Sequence, residues 1–131
     1  AVPGCHASGL IALVYPLVAA GILPADALLT CHSITGYSGG GKKMIAQYET
    51  YKRESFLNSP RQYALTQQHK HLKEMKAITG IENEPMFSPI VADFYSGMAV
   101  SVPVFAKNLC NGKGIRDIID VYEKNYNSTF F

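Results

Sequence analysis

Leu28-Leu29-Thr30-Cys31-His32-Ser33-Ile34-Thr35-Gly36-Tyr37-Ser38-Gly39-Gly40-Gly41-Lys42-Lys43-Met44 runs from an apolar, β-capable segment through a glycine-rich loop into a helix. Leu28 to Ile34 supplies the strand and Gly36 to Gly41 the loop; Met44, Ile45, Tyr48 and Tyr51 then recur on one helical face to about Arg53. Upstream, Cys5 to about Ala20 is apolar nearly all round, the pattern of a buried helix that Pro16 is expected to kink or split. Downstream, Asn58-Ser59-Pro60 breaks the chain, and a polar stretch through His71 leads into a short helix ending near Gly80. Met86 to Tyr95 and Met98 to Phe105 are β-rich and separated by Ser96-Gly97, the spacing of a two-residue hairpin, so an antiparallel pair is expected. Ile115, Ile118, Ile119 and Tyr122, behind Gly112 and Gly114, follow the i, i+3, i+4, i+7 rule of an amphipathic C-terminal helix. The class expected is α+β, a mostly antiparallel sheet covered by helices.

The 131 residues suit one domain, 1–131, large enough to bury a real core. Hydrophobic residues make up 47% and charged residues 17%, which excludes a disordered chain and argues against a coiled coil. A net charge of +2 lacks the polybasic signature of a nucleic-acid or membrane-surface binder, so neither partner is expected. The uncharged run from Ala7 to Pro24 is interrupted by Gly9, Pro16 and Gly21, which reads as a buried helix and not a membrane span or signal peptide. Cys5, Cys31 and Cys110 form an odd set without a CxxC pair and read as free thiols of a reducing, cytoplasmic compartment. The opening Ala1-Val2-Pro3-Gly4-Cys5 reads as a turn leaving an absent strand, as in a fragment of a longer protein. Asn127-Ser128-Thr129 matches a glycosylation sequon, a triplet common by chance that a cytosolic chain would ignore.

Pro3-Gly4-Cys5 before a long helix puts a thiol at a helix N-terminus, where free N–H groups and the macrodipole favour the thiolate and could also hold an oxyanion. The plainer alternative is a small buried hydrophobe. Gly36 to Lys42 fits the GxxxxGK part of a phosphate-binding loop, but Lys43 stands where a Ser or Thr must ligate Mg²⁺. What survives is an anion site for phosphate or carboxylate, set against a flexible surface turn. His69-Lys70-His71 with Glu74 places His71 and Glu74 on one helical face, an imidazole acid/base oriented by a carboxylate; the alternative is a polar, solvated helix start. No ligand pair has metal spacing, so no metal is expected. His6 and His32 read as satisfied groups, either in the core or supporting residues of a site from behind. Lys42 to Lys76 carries a local charge of +5 against −3 for the rest, and this basic third contains both anion-binding motifs, favouring an acidic small substrate.

Val2-Pro3-Gly4-Cys5-His6-Ala7-Ser8-Gly9, Gly36 to Lys42, His69-Lys70-His71-Leu72-Lys73-Glu74-Met75 and Gly97-Met98 running into Val102-Pro103 together resemble the shorter form of N-acetyl-gamma-glutamyl-phosphate reductase, in order and spacing, across essentially the whole chain. The family commonly has Pro where this chain has Lys73. The resemblance implies a glyceraldehyde-3-phosphate-dehydrogenase-like catalytic domain, a homo-oligomer built on its sheet, and NADPH-dependent reduction of an acyl phosphate to a semialdehyde in arginine biosynthesis. It makes Cys5 the nucleophile and an imidazole the acid/base, His71 with His69 as competitor. Gly4, Ser38, Gly39, Lys42 and Glu74 would serve the substrate. NADP would be bound mainly by an amino-terminal dinucleotide-binding domain, since no GxGxxG fingerprint is present, leaving the fragment alone inactive. The rival readings are a cofactor-independent cysteine hydrolase or acyltransferase using Cys5 and His71, and a non-catalytic assembly domain.

Overall fold

The computed structural model describes residues 2–127, so the sequon at Asn127-Ser128-Thr129 extends outside the described residues. The chain forms α1 (Cys5–Ala19), β1 (Thr30–Gly36), α2 (Gly41–Glu49), β2 (Arg61–Gln62), α3 (Lys70–Thr79), β3 (Met86–Ala92), β4 (Met98–Ser101) and α4 (Ile115–Tyr126), with short 3₁₀ turns at Tyr37–Gly40, Ser55–Asn58 and Ala106–Asn108. The class is α+β, but the sheet is mixed, not mostly antiparallel. Its order is β2-β3-β1-β4, with β1 parallel to β3 and antiparallel to β4, and β2 antiparallel to β3.

The expected hairpin does not form: β1 inserts between β3 and β4, pairing with each. Residues 93–97 instead wrap the end of β1, where Gly36, Tyr37 and Ser38 donate their N–H groups to the carbonyls of Gly97, Phe94 and Tyr95. Gly36 makes this passage feasible, because a Cβ there would lie 2.7 Å from the Phe94 and Tyr95 carbonyl oxygens. The chain does reverse between β3 and β4, but over residues 93–97 and not as a two-residue turn at Ser96-Gly97, and long-range pairing with β1 keeps the two strands apart.

Alternation along β1 and β3 drives Cys31, Ser33, Phe87, Pro89 and Val91 inward; Cys31 and Phe87 join Ala7, Leu10 and Val14 of α1 and Leu72 and Met75 of α3 in the main core, while Val91 packs with Tyr48 and Leu57 in a second cluster. The opposite alternation leaves His32 and Ile34 exposed, so His32 is neither a core group nor one supporting the site from behind. Helix α2 stops at Glu49 and not near Arg53. Thr50 is extended, and Arg53 is drawn to the 93–97 loop by a forked pair with Asp93 at 2.6 and 2.9 Å. On α4 the buried side is Ile118, Val121 and Tyr122, while Ile115 and Ile119 stay exposed, a rotation of the face the periodicity suggested.

Helix α1 continues through Pro16 without splitting. Proline removes the N–H that would bond the Ala12 carbonyl and crowds the preceding turn. Tyr126 donates its hydroxyl to Ala12 O and Tyr122 donates to Leu13 O, both at 2.6 Å, so α4 replaces what the ring takes away.

Candidate active site

A cavity of about 370 Å³ opens where the N-terminus of α1, the glycine turn before α2, the residue after β2 and the start of α3 meet. Cys5 is the first residue of α1 and is exposed on this cavity. Cys31 is buried, and burial pushes its thiol up to about 11, so it stays protonated and inert; Cys110 lies part-buried elsewhere. Gly4 caps α1 in extended conformation with no side-chain cap, and its N–H donates to Glu74 Oε2 at 2.8 Å. The carboxylate that the sequence pairs with His71 therefore fixes the cysteine turn instead, and reaches the imidazole only through its charge.

His69 is the N-cap of α3, its Nδ1 accepting the His71 N–H at 3.2 Å. The His71 ring lies against Gly4, where a Cβ would fall 1.8 Å from its Nε2. Its Nδ1 is buried without a partner among the described residues. Burial holds both imidazoles below the usual histidine range. His69 lowers His71 further, Lys70 lowers both, and the Glu74 charge opposes the shift in each. A protonated His69 would lose its cap, so its neutral form fits this geometry, while for His71 burial is the main influence favouring the neutral ring.

His6 lies beneath these two, its ring centroid 6.1 Å from His69 and 5.6 Å from His71. Its Nδ1 meets Ser33 Oγ at 2.6 Å and its Nε2 meets Tyr63 Oη at 2.7 Å, so both nitrogens are satisfied. Three imidazoles in contact invite a metal reading, but no group of three or more His, Cys, Asp or Glu among the described residues has metal-binding geometry. A second cavity of about 420 Å³ is lined by Leu28, Leu29, Pro85 and Met86 among others, with neither a cysteine nor a histidine in its lining.

A glycine-capped cysteine, a His-Lys-His cap and a glycine turn thus converge from three separate segments. A family model described as semialdehyde dehydrogenase, dimerisation domain, matches residues 5–131. The chain belongs to this family. The semialdehyde dehydrogenase dimerisation domain described here is similar to proteins named N-acetyl-gamma-glutamyl-phosphate reductase. It is 45% identical over 117 residues to that of Sinorhizobium medicae, covering 88% of this chain and 38% of the relative. It is 44% identical over 117 residues to that of Rhizobium meliloti, with 88% and 38% covered, and 42% identical over 125 residues to that of Allorhizobium ampelinum, with 95% and 40% covered. The chain therefore spans about two fifths of the length of these relatives.

Of the residues singled out by sequence, the domain brings Gly4, Cys5, Gly39, His69 and His71 to the cavity. Ser38 and Lys42 are not among its lining residues; the Ser38 N–H is committed to Tyr95 O, and Lys42 is exposed on the first turn of α2. Lys70 supplies the cation instead. Motif reading missed Thr35, Tyr63 and Lys70. Lys70 sits inside the His-Lys-His triplet, but Tyr63 had no local signal at all. Among the described residues no helix is long and apolar enough to cross a membrane.

Proposed function

We propose that this chain is the catalytic and dimerisation domain of an N-acetyl-gamma-glutamyl-phosphate reductase, with the glyceraldehyde-3-phosphate-dehydrogenase-like fold that the resemblance implies. The observation that carries the reading is the exposed Cys5 thiol sharing one cavity with His69 and His71. The relatives' name supports the substrate, an acyl phosphate. In this reading His71 Nε2, which makes no hydrogen bond within the described residues and lies against Gly4, takes the Cys5 proton. The thiolate attacks the acyl carbon, the carbon–sulfur bond forms, the carbon–oxygen bond to phosphate breaks, and a thioester remains on Cys5. A nicotinamide cofactor, when bound, supplies the hydride that reduces this thioester. The described residues suit only its reactive end, offering a thiol and imidazoles but no glycine fingerprint for a pyrophosphate, so we assign NADP binding to a dinucleotide-binding domain outside this sequence. His71 returns its proton to the reduced carbon's oxygen, then removes it as the carbon–sulfur bond breaks and the semialdehyde leaves. Lys70 and the Gly39-Gly40 turn face the same cavity and suit the substrate's anionic groups; Ser38 and Lys42 stand beside that turn.

We place the reductase in the cytoplasm as a homo-oligomer. The family's dimerisation description and the outward sheet face at His32 and Ile34 support the second assignment. Cys5→Ser in the complete reductase is expected to abolish phosphate-dependent oxidation of the semialdehyde, read as NADPH formation. Wild-type rates in that variant would refute the nucleophile, and thioester hydrolysis by the chain without nicotinamide would favour a cysteine hydrolase.

A further inference from the structure

Tyr63 follows β2 and enters the cavity beside Cys5, His69 and His71, yet the reaction outlined above gives it no part. Its hydroxyl ends a chain that starts in the sheet. Ser33, at the middle of β1, is 0% exposed, and among the described residues its Oγ has one hydrogen-bond partner, His6 Nδ1. A buried O–H without an acceptor is costlier than a lone pair without a donor, so Ser33 donates and His6 Nδ1 accepts. A neutral imidazole has one N–H, which must then sit on Nε2 and donate to Tyr63 Oη. Because Tyr63 accepts from His6, its own O–H hydrogen is left for the cavity.

We propose that Tyr63 is a further catalytic residue, a neutral hydrogen-bond donor to the acyl oxygen carried on Cys5, with Ser33 and His6 as the positioning residues that turn its O–H toward that oxygen. The assignment rests on the reading of Cys5 as nucleophile. Each group holds the protonation state it needs. Burial and the neighbouring His71 and His69 push His6 down to about 4, keeping it neutral; burial and the Cys5 charge push Tyr63 up to about 12, keeping its proton. The donor strengthens its bond as the oxygen gains charge, which is the requirement for lowering a barrier.

Two measurements test this. In the ¹⁵N-labelled chain, long-range ¹H–¹⁵N correlations are expected to show His6 as the Nε2–H tautomer; an Nδ1–H tautomer overturns the proposal without any enzyme assay. In the complete reductase, Tyr63→Phe is expected to lower kcat about 10²-fold with a smaller change in KM, the effect of removing one donor to a developing oxyanion. Ser33→Ala, remote from the cavity, is expected to release the His6 tautomer and lower kcat about tenfold, because Tyr63 can then spend its proton on His6. The double variant should be no slower than Tyr63→Phe alone. Unchanged kcat in Tyr63→Phe, or losses that multiply in the double variant, overturns the proposal. If Cys5→Ser retains activity, the nucleophile reading fails as well, which separates the two.

Discussion

A methyl group on Gly4 would overlap the His71 ring, so this glycine is selected by a neighbour that lies 67 positions along the chain and not by its own turn. Gly4→Ala is expected to displace the imidazole and lower activity at least about 100-fold, with a stability loss of about 1–3 kcal/mol from overpacking. Near-wild-type kcat would show that the ring's position is immaterial. Glu74→Gln keeps an acceptor for the Gly4 N–H but removes the one charge that raises the His71 pKa. The His71 titration, followed by NMR, should therefore move to lower pH; an upward movement would contradict the arrangement. The cysteine turn and the His-Lys-His triplet could be read from sequence because each is a contiguous motif on a helix start. Tyr63 could not, because its partner His6 lies 57 residues away and nothing local marks the contact.

Helices α1 and α4 are coupled through a proline. Tyr126→Phe is expected to cost about 1 kcal/mol, the net worth of one hydrogen bond. In a Pro16→Ala background, where an N–H again reaches the Ala12 carbonyl, the same change should cost distinctly less, as measured by a double-mutant cycle of urea unfolding. Equal costs in both backgrounds would break the link between the ring and the tyrosine. This is why the kink read from Pro16 does not become a break: the helix rule is local, whereas its remedy arrives from over a hundred residues further on. The strands carry a similar lesson. Ser96-Gly97 lies in the reversal between β3 and β4, but that reversal takes residues 93–97, and β1, drawn between the two strands by its buried alternating face, takes the pairing on both sides.

At the scale of the whole molecule, the buried His6 ties folding to pH. Unfolded, it takes up a proton below about 6.5; folded, only near 4. The unfolded state therefore binds more protons between those values, and stability must fall as pH falls through that window, then level off. The full difference is about 3 kcal/mol for this residue, with His69 and His71 shifted in the same direction. Urea midpoints should drop between pH 7 and pH 4.5, more than in a His6→Gln variant; a flat profile would contradict the burial. Ile34, 41% exposed on the outward sheet face, offers a test of assembly. Ile34→Glu is expected to shift the complete reductase toward smaller species in light scattering, whereas an unchanged mass would place the interface elsewhere.

The sequence by itself determined the four helices, the segments of β1, β3 and β4, and those carrying the thiol, the imidazoles and the glycine turn, because periodicity, caps and motifs are encoded within a few residues; β2, two residues in a polar stretch, carried no such signal. Only the tertiary structure decided the mixed order of the sheet, the transfer of Glu74 from His71 to Gly4, the choice of Lys70 over Lys42 in the cavity lining, and the Ser33–His6–Tyr63 chain. Each of these depends on which distant segments the hydrophobic core presses together, and on which buried polar atoms must then find one another.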